Sequence, residues 1–398
     1  MNLDIVDRST VACERRLVLD KLNRAFSVAK VLNPETAELA CCPPVITNPV
    51  NAMPLTSAVT VVNTPSAVRL LGGAPQIYSG LAIKPVTTTR KDLSQYAYSG
   101  AFDIVTDAPS VCFGFTSNSV QARFLVDGRY VSKAITNATG GSTTYINLDF
   151  SSVRKVRRIT VLTNAALRFI YTDPISRVTA PAANDIVRCI FTGDSYTAST
   201  GASMPDTSWS QVASRYLGIE DARACGIGGT GYLNPGSGTA WTCRSHINDV
   251  IDNAPDLVVF AHGANDFTST PAAITAEVLL CLAEVRTALP ATPIVVMGCW
   301  PLSSGPSPAA IATEGAILAA VNNFDDSFCK FAPVVSEPSG SWIFGMGSTA
   351  IPTGTGNGDV YLGGTSGTDK AHPNDAGHAY IGYKASEAIK KAVSAMTV

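Results

Sequence analysis

The chain has 398 residues, of which 46% are hydrophobic and 15% are charged, and its formal net charge is −2. This length is enough for two domains, and the composition is that of packed globular protein, which excludes an intrinsically disordered chain. The near-neutral charge, without a basic stripe or a block of like charges, argues against nucleic acid as a partner. No run of about 18 apolar residues is present, so the sequence predicts no membrane span.

The first segment predicts a long amphipathic helix within residues 1–32. Leu17, Leu19, Leu22 and Phe26 recur at helical spacing among Arg and Lys. Such a helix either packs on the body of the protein or joins copies of the chain into a homo-oligomer, and both interpretations stay open. The start lacks the charged-then-apolar pattern of a secretory signal, which predicts a cytoplasmic protein or one that leaves the cell without a signal, as after lysis.

A proline-rich stretch and then a strand-rich region follow this helix. Prolines between residues 33 and 54 break helices, so residues 1–54 are expected to form the helix and an extended linker. Residues 55–181 contain short strand-like runs at spacings near ten residues, and Asp127-Gly128 is a strong hairpin signal. The sequence predicts an all-β sandwich of the jelly-roll kind over this range.

Beyond Pro181 the pattern changes to alternating strands and helices, which places a further domain at residues 184–398. Strands are predicted at 186–191, 257–261, 294–298 and 331–335, and helices at 208–216, 275–289, 309–324 and 376–395. This alternation predicts a parallel sheet between layers of helices. Sheets of this type bind ligands outside the carboxyl ends of their strands.

Four short motifs in this domain carry candidate chemistry. They are Gly193-Asp194-Ser195, Gly226-Ile227-Gly228-Gly229-Thr230-Gly231, Gly263-Ala264-Asn265-Asp266 and Asp369-Lys370-Ala371-His372-Pro373. Each alone is a weak signal, since a glycine cluster is often a flexible loop and Asn-Asp after a strand is usually a turn or helix cap. Their occurrence together and in this order favours a single active site.

Ester cleavage needs a nucleophile, a base that takes its proton and a group that orients the base. Ser195 can be the nucleophile and His372 the base. Asp369, three residues before His372, can reach the imidazole and determine its tautomer. The G-x-S-x-G elbow of α/β-hydrolases is absent, which argues against that fold.

The four motifs resemble those of the SGNH (GDSL-type) hydrolase superfamily, over roughly residues 184–398. The resemblance implies a three-layer α/β fold and an oxyanion hole formed by the backbone N–H groups of Ser195 and Gly229 and the side chain of Asn265. It implies no cofactor. A β-sandwich before such a domain is similar to the arrangement of some carbohydrate esterases that remove acetyl groups from polysaccharides, and of some bacteriophage tail or tailspike esterases.

Five further side chains fall in or near the loops after the strands and are candidates for substrate contact at the pocket mouth. They are Tyr196, Tyr232, Trp241, His262 and Trp300. Aromatic rings there suit sugars or acyl chains, and buried structural aromatics are an equal alternative. With four histidines and no HExxH motif, no metal site is predicted.

The ten cysteines form no C-x-x-C pair and are most simply buried free thiols, with a Cys225–Cys243 disulfide as the minority alternative.

The sequence therefore predicts a serine esterase that removes acetyl or other short acyl groups from carbohydrate or polysaccharide through an acyl-enzyme. A general short-chain esterase or lipase-like hydrolase is one alternative. The other is a non-catalytic glycan-binding or virion structural protein, against which intact Ser195, Asp369 and His372 weigh. A signal-less chain with a docking helix suits a virion component, which would then be extracellular.

Overall fold

The computed structural model describes residues 3–29, 43–51, 55–87, 100–182, 186–236 and 241–398. These residues divide into two compact units. Described residues between 43 and 182 form the β-sandwich unit, and residues 3–29 together with those from 186 onward form the α/β unit.

Fourteen strands are described in the β-sandwich unit, and every pairing among them is antiparallel. They are β1 Val45–Thr47, β2 Ser57–Thr60, β3 Arg69–Leu71, β4 Ala74–Tyr78, β5 Ala82–Val86, β6 Ala101–Thr106, β7 Ser110–Phe115, β8 Ser119–Val126, β9 Arg129–Tyr130, β10 Thr136–Thr139, β11 Thr144–Asp149, β12 Arg157–Thr163, β13 Leu167–Thr172 and β14 Val178–Thr179. One sheet has the order β1-β11-β7-β13-β5-β4, with β2 also on β13. The other has the order β10-β8-β12-β6-β14, with β3 on β6 and β9 on β8.

Alternate side chains of the two sheets form one shared core. Phe113 and Ile146 of the first sheet and Phe124 and Ile159 of the second are fully or almost fully buried in the same cluster. This is the inward-outward alternation of a sandwich. The predicted hairpin is present, because Asp127 and Gly128 both have positive φ, 51° and 78°, in the two-residue turn between β8 and β9.

The α/β unit contains the remaining helices and strands of the described chain. They are α1 Leu3–Val28, β15 Arg188–Gly193, α2 Trp209–Leu217, β16 Asp221–Gly226, α3 Asn248–Ile251, β17 Leu257–Ala261, α4 Pro271–Ala288, β18 Ile294–Met297, α5 Pro308–Phe324, β19 Cys329–Ala332, α6 Gly358–Tyr361, β20 Leu362–Gly363, β21 Asp369–Pro373 and α7 Asp375–Ser394. Among the helices that the structure describes, none combines the length and apolar character that crossing a bilayer requires.

The central sheet is parallel and has the order β16-β15-β17-β18-β19. Its strands are apolar because both faces are covered. On one face Phe191 packs with side chains of α1, α2 and α7, and on the other Ile190 packs with side chains of α3, α4 and α5. The predicted three-layer fold is confirmed.

Strand β16 is the strand of the central sheet that the hydrophobic pattern missed. Its sequence includes Asp221 and Arg223, which hide the apolar run of an ordinary buried strand. Both side chains are buried, and Asp221 accepts hydrogen bonds from Arg188 and Arg223. A buried charged pair at a sheet edge therefore looks like a loop in the sequence.

Helix α1 belongs to the α/β unit, which corrects the expectation that it forms one segment with the proline-rich stretch. Leu22 is fully buried in the cluster beneath α2 and α7, and Lys21 Nζ lies 2.8 Å from Asp256 Oδ2. Gly218 lies against the helix so closely that a Cβ there would collide with the carbonyl oxygen of Ala25. Of the two interpretations, packing on the body is the one observed; self-association through this helix stays a prediction.

Replacing Leu22 with Ala should destabilise the α/β unit, because a fully buried Leu leaves a cavity when truncated. We expect the free energy of unfolding to fall by about 2–5 kcal/mol. All four tryptophans lie between residues 209 and 342, so urea unfolding followed by tryptophan fluorescence reports on this unit. Leu17→Ala is the matched control on the same helix: Leu17 is 63% exposed, and its truncation should change stability by less than about 0.5 kcal/mol. Equal effects of the two changes would contradict the docking of α1.

Candidate active site

Three of the four motifs directly follow neighbouring strands of the parallel sheet. Strand β15 ends two residues before Ser195, β16 ends three before Gly229, and β17 ends four before Asn265. Since parallel strands end at the same edge, these residues gather there. The chain reverses its direction of travel across the sheet at β15, which is the switch point where open α/β sheets bind ligands.

The fourth motif lies on a short hairpin. Strand β21 pairs with β20 and carries both Asp369 and His372. His372 Nε2 lies 2.9 Å from Ser195 Oγ, and His372 Nδ1 lies 2.5 Å from Asp369 Oδ2. The three predicted triad residues are therefore in hydrogen-bond contact, in the order that a nucleophile, a base and an orienting carboxylate require.

Asp369 is held as an anion by local hydrogen bonds. Burial works against its ionisation, but the backbone N–H of Ala371, the His372 ring and the backbone N–H of His372 outweigh burial and keep the pKa of Asp369 below its usual value. The two N–H groups lie 2.8 and 3.2 Å from Asp369 Oδ1. An ionised Asp369 favours the tautomer with the proton on His372 Nδ1, which leaves Nε2 as the acceptor for the Ser195 hydroxyl.

The turn that presents Ser195 is compact because glycine permits it. A Cβ on Gly193 would collide with the side chain of Thr197 and lie 2.7 Å from the carbonyl oxygen of Ala261. A Cβ on Gly226 would collide with the backbone of Thr197 and Ala198. The carboxyl ends of β15 and β16 can therefore approach the serine turn only because each strand ends in a glycine.

The glycine-rich loop after β16 is fastened to Asp266. The carboxylate of Asp266 accepts the backbone N–H groups of Tyr232, Leu233 and Asn234 at 2.7, 3.1 and 2.9 Å. Asp266 thus holds the loop that contains Gly229. Gly229 has a φ of 76°, a conformation that favours glycine.

Asn265 is tied to the same loop from both of its ends. Its side-chain Nδ2 donates a hydrogen bond to the carbonyl oxygen of Thr230 at 2.8 Å. Its backbone carbonyl oxygen accepts a hydrogen bond from Nδ2 of Asn234 at 2.9 Å. Asn234 was not singled out in the sequence, where no motif marks it. Its part emerges only from the folded loop.

The structure buries the five candidate substrate residues, which agrees with the alternative that they are structural side chains. Tyr196, Tyr232, His262 and Trp300 are at most 1% exposed. Their rings complete the core beneath the site, so they cannot contact a substrate in this structure. Trp241 is buried as well, at 9% exposure.

Tyr196 instead supports the hairpin that carries His372. Its ring stacks on Trp300 with centroids 5.1 Å apart, and its hydroxyl donates to the carbonyl oxygen of Ala371 at 2.5 Å.

His262 has a structural role in the core. Its Nε2 lies 3.2 Å from Thr192 Oγ1. Burial and, to a smaller extent, the neighbouring His246 hold the pKa of His262 well below its usual value. His262 is therefore a neutral structural imidazole.

Within the described residues, no three His, Cys, Asp or Glu side chains gather into a metal site. Cys225 and Cys243 are buried and form no disulfide with each other, so the disulfide alternative is not observed. The arrangement offers a hydrogen-bonded serine, histidine and aspartate beside a loop rich in backbone N–H groups. That set suits acyl transfer to and from a serine.

Fold and site together define an ester hydrolase. Residues 191–380 match the family model described as the GDSL-like lipase/acylhydrolase family. The SGNH resemblance of the sequence is thereby confirmed. A comparison with curated proteins found no match.

Solved structures with a similar fold align with more than four fifths of this chain. A salicylyl-acyltransferase from a tetracycline biosynthetic pathway aligns at 15% identity and a TM-score of 0.63, over 84% of this chain and 97% of its own. A family two carbohydrate esterase from Cellvibrio japonicus aligns at 11% identity and a TM-score of 0.58, over 89% and 100%. An acetyl xylan esterase from the rumen bacterium Butyrivibrio proteoclasticus aligns at 12% identity and a TM-score of 0.58, over 85% and 100%. At these identities the similarity is one of fold, and no finding bears on the virion hypothesis.

Replacing Gly231 with Ala should disturb the loop that Asp266 holds, because the new Cβ would collide with the Asp266 carboxylate. We expect a loss of about 1–3 kcal/mol in the free energy of unfolding, as for overpacking elsewhere. Gly228→Ala is the matched control in the same loop, since its Cβ would meet nothing closer than Ser195 Cβ at 3.9 Å. Tryptophan-monitored urea unfolding compares the two, and a Gly228 variant as unstable as the Gly231 variant would contradict the steric argument.

Proposed function

We propose that this chain is a serine esterase that removes acetyl or other short acyl groups from carbohydrate or polysaccharide. The observation that carries the proposal is the continuous hydrogen-bonded path from Asp369 through His372 to Ser195 Oγ. A serine without such a base is a poor nucleophile, whereas one with it can form an acyl-enzyme.

In the proposed reaction, Ser195 Oγ attacks the acyl carbonyl carbon while His372 Nε2 takes its proton. Asp369 stabilises the imidazolium that forms. His372 then returns the proton to the leaving sugar oxygen as the ester bond breaks. Water, activated by the same imidazole, hydrolyses the acyl-enzyme and releases the acid.

The tetrahedral intermediates carry an oxyanion that needs hydrogen-bond donors. In this proposal they are the backbone N–H groups of Ser195 and Gly229 and the Nδ2 group of Asn265. The amide of Asn265 has two hydrogens, and only one is used by the carbonyl oxygen of Thr230, so the second is available for the oxyanion.

The carbohydrate part of the proposal draws support from proteins of similar fold that are named as carbohydrate esterases and as an acetyl xylan esterase. A general short-chain or lipase-like esterase would share the triad and differ only in the acyl and alcohol groups accepted. The length of acyl chain that the site accepts separates these two candidates.

Hydrolysis of p-nitrophenyl acetate, butyrate and octanoate by the wild-type protein tests the proposal, with Ser195→Ala as the parallel variant. We expect kcat/KM to fall with chain length and the activity to vanish in Ser195→Ala, because Ser195 Oγ is the nucleophile that is hydrogen-bonded to His372 Nε2. Release of acetate from an acetylated xylan then tests the carbohydrate class. Preference for octanoate would favour the lipase-like candidate, and activity that survives in Ser195→Ala would overturn the acyl-enzyme mechanism.

Asn265→Ala tests the oxyanion hole. Loss of one such donor typically lowers kcat by about 10²–10³-fold with a smaller effect on KM. Asn322→Ala, an exposed asparagine at the end of α5, is the control and should leave kcat unchanged. An Asn265 variant that keeps wild-type kcat would remove Asn265 from the proposed mechanism.

A further inference from the structure

Asp194, which immediately precedes Ser195, has an unusual environment for a carboxyl group. Its side chain is fully buried. Oδ1 accepts the backbone N–H of Tyr196 at 3.0 Å, while the buried Oδ2 has no hydrogen-bond partner. A buried carboxylate with a single donor is costly, because the charge is neither hydrated nor paired.

A second buried carboxyl group, Asp266, acts on Asp194 and is far better solvated by the protein. Asp266 accepts three backbone N–H groups within 3.1 Å. Two buried carboxyl groups that repel each other do not both ionise readily, and the better hydrogen-bonded one keeps the charge. Burial raises the pKa of both carboxyl groups, but three N–H groups oppose this effect at Asp266. The hydrogen-bond pattern thus assigns the negative charge to Asp266 and a proton to Asp194.

The other titratable groups that interact with Asp194 supply no positive charge. Tyr196, from the same turn, and Cys299, from the loop after β18, both have their pKa raised by burial and then by nearby carboxylates, so both are neutral. Among the residues that the structure describes, the charged group that acts on Asp194 is therefore Asp266, which has the same sign.

We propose that Asp194 is a positioning residue that works as a neutral acid: protonated, it holds the turn that presents Ser195, and its ionisation limits the reaction at alkaline pH. The inference rests on the proposed esterase function and adds a control on the same site. Ionisation would place a negative charge one residue from the Ser195 N–H that faces the oxyanion. Like charges at that distance raise the barrier to forming the intermediate.

The pKa of Asp194 places this event in an accessible range. Burial and the charge of Asp266 raise it to about 7, against the lowering effect of the Tyr196 N–H. A group whose folded-state pKa is raised contributes stability at low pH that is lost as the pH rises towards the folded-state value. For Asp194 this loss falls between about pH 4 and pH 7.

Asp194→Asn is the decisive variant, because the carboxamide keeps an acceptor for the Tyr196 N–H and is neutral at every pH. The pH profile of kcat for p-nitrophenyl acetate is measured from pH 5 to 9, with the Ser195→Ala rate subtracted as background. We expect the wild-type kcat to decline above about pH 7 by about ten-fold or more, while Asp194→Asn stays on its plateau. Asp326→Asn neutralises a carboxylate that precedes β19, at the opposite edge of the sheet, and should keep the wild-type profile.

An alkaline decline that persists unchanged in Asp194→Asn would overturn the proposal. So would a folded Asp194→Asn that is inactive at all pH values, since the ionised form would then be the working one.

A stability measurement separates failure of this inference from failure of the esterase function. The urea midpoint of Asp194→Asn, relative to wild type, should rise from pH 4 to pH 7 and then level off. If neither protein cleaves any ester yet the midpoints diverge in this way, the proton on Asp194 stands and the esterase function fails. A pH-independent difference between the midpoints would overturn the proton itself.

Discussion

The contact on which the site depends is the hydrogen bond between Ser195 Oγ and His372 Nε2, which joins positions 177 residues apart. Neither segment can supply this contact alone, so the distance depends on how the β20–β21 hairpin is fastened to the turn after β15. The Tyr196 hydroxyl makes one such attachment, to the carbonyl oxygen of Ala371. A misplacement of about 1 Å at a reacting atom can lower the rate about 100-fold, so the attachments that position these atoms affect the reaction rate.

The start of α7 supplies the second attachment. Asp375 accepts the backbone N–H of Ser203 and the hydroxyl of Thr207, both at 2.8 Å. His378 is buried, receives the backbone N–H of Trp209 at 3.2 Å and lies 3.1 Å from the carbonyl oxygen of Thr200. Burial lowers the pKa of His378 to about 4. A neutral imidazole can accept from one of these groups and donate to the other, so His378 links the last helix to the serine turn.

Carboxyl groups near the site differ in charge because their hydrogen-bond donors differ. Asp369 has two backbone N–H groups and the His372 ring, and Asp266 has three backbone N–H groups, whereas Asp194 has one. Backbone N–H groups stabilise an anion without adding a cation that would compete with substrate. The motif residues that look alike in the sequence therefore play separate parts: one orients the base, one holds a loop and one stays neutral beside the nucleophile.

Local sequence determined the apolar strands β15, β17 and β18, the helices that follow them and the identity of the four motifs. These features depend on short-range periodicity and on residue types that ester chemistry requires. Tertiary structure alone decided that Tyr196, Tyr232, His262 and Trp300 lie in the core, that β16 is a strand and that Asp369 and His372 share a hairpin. The reason is physical: burial, charge pairing and the proton on Asp194 depend on groups brought together from distant parts of the chain, and no local pattern records which of them will meet.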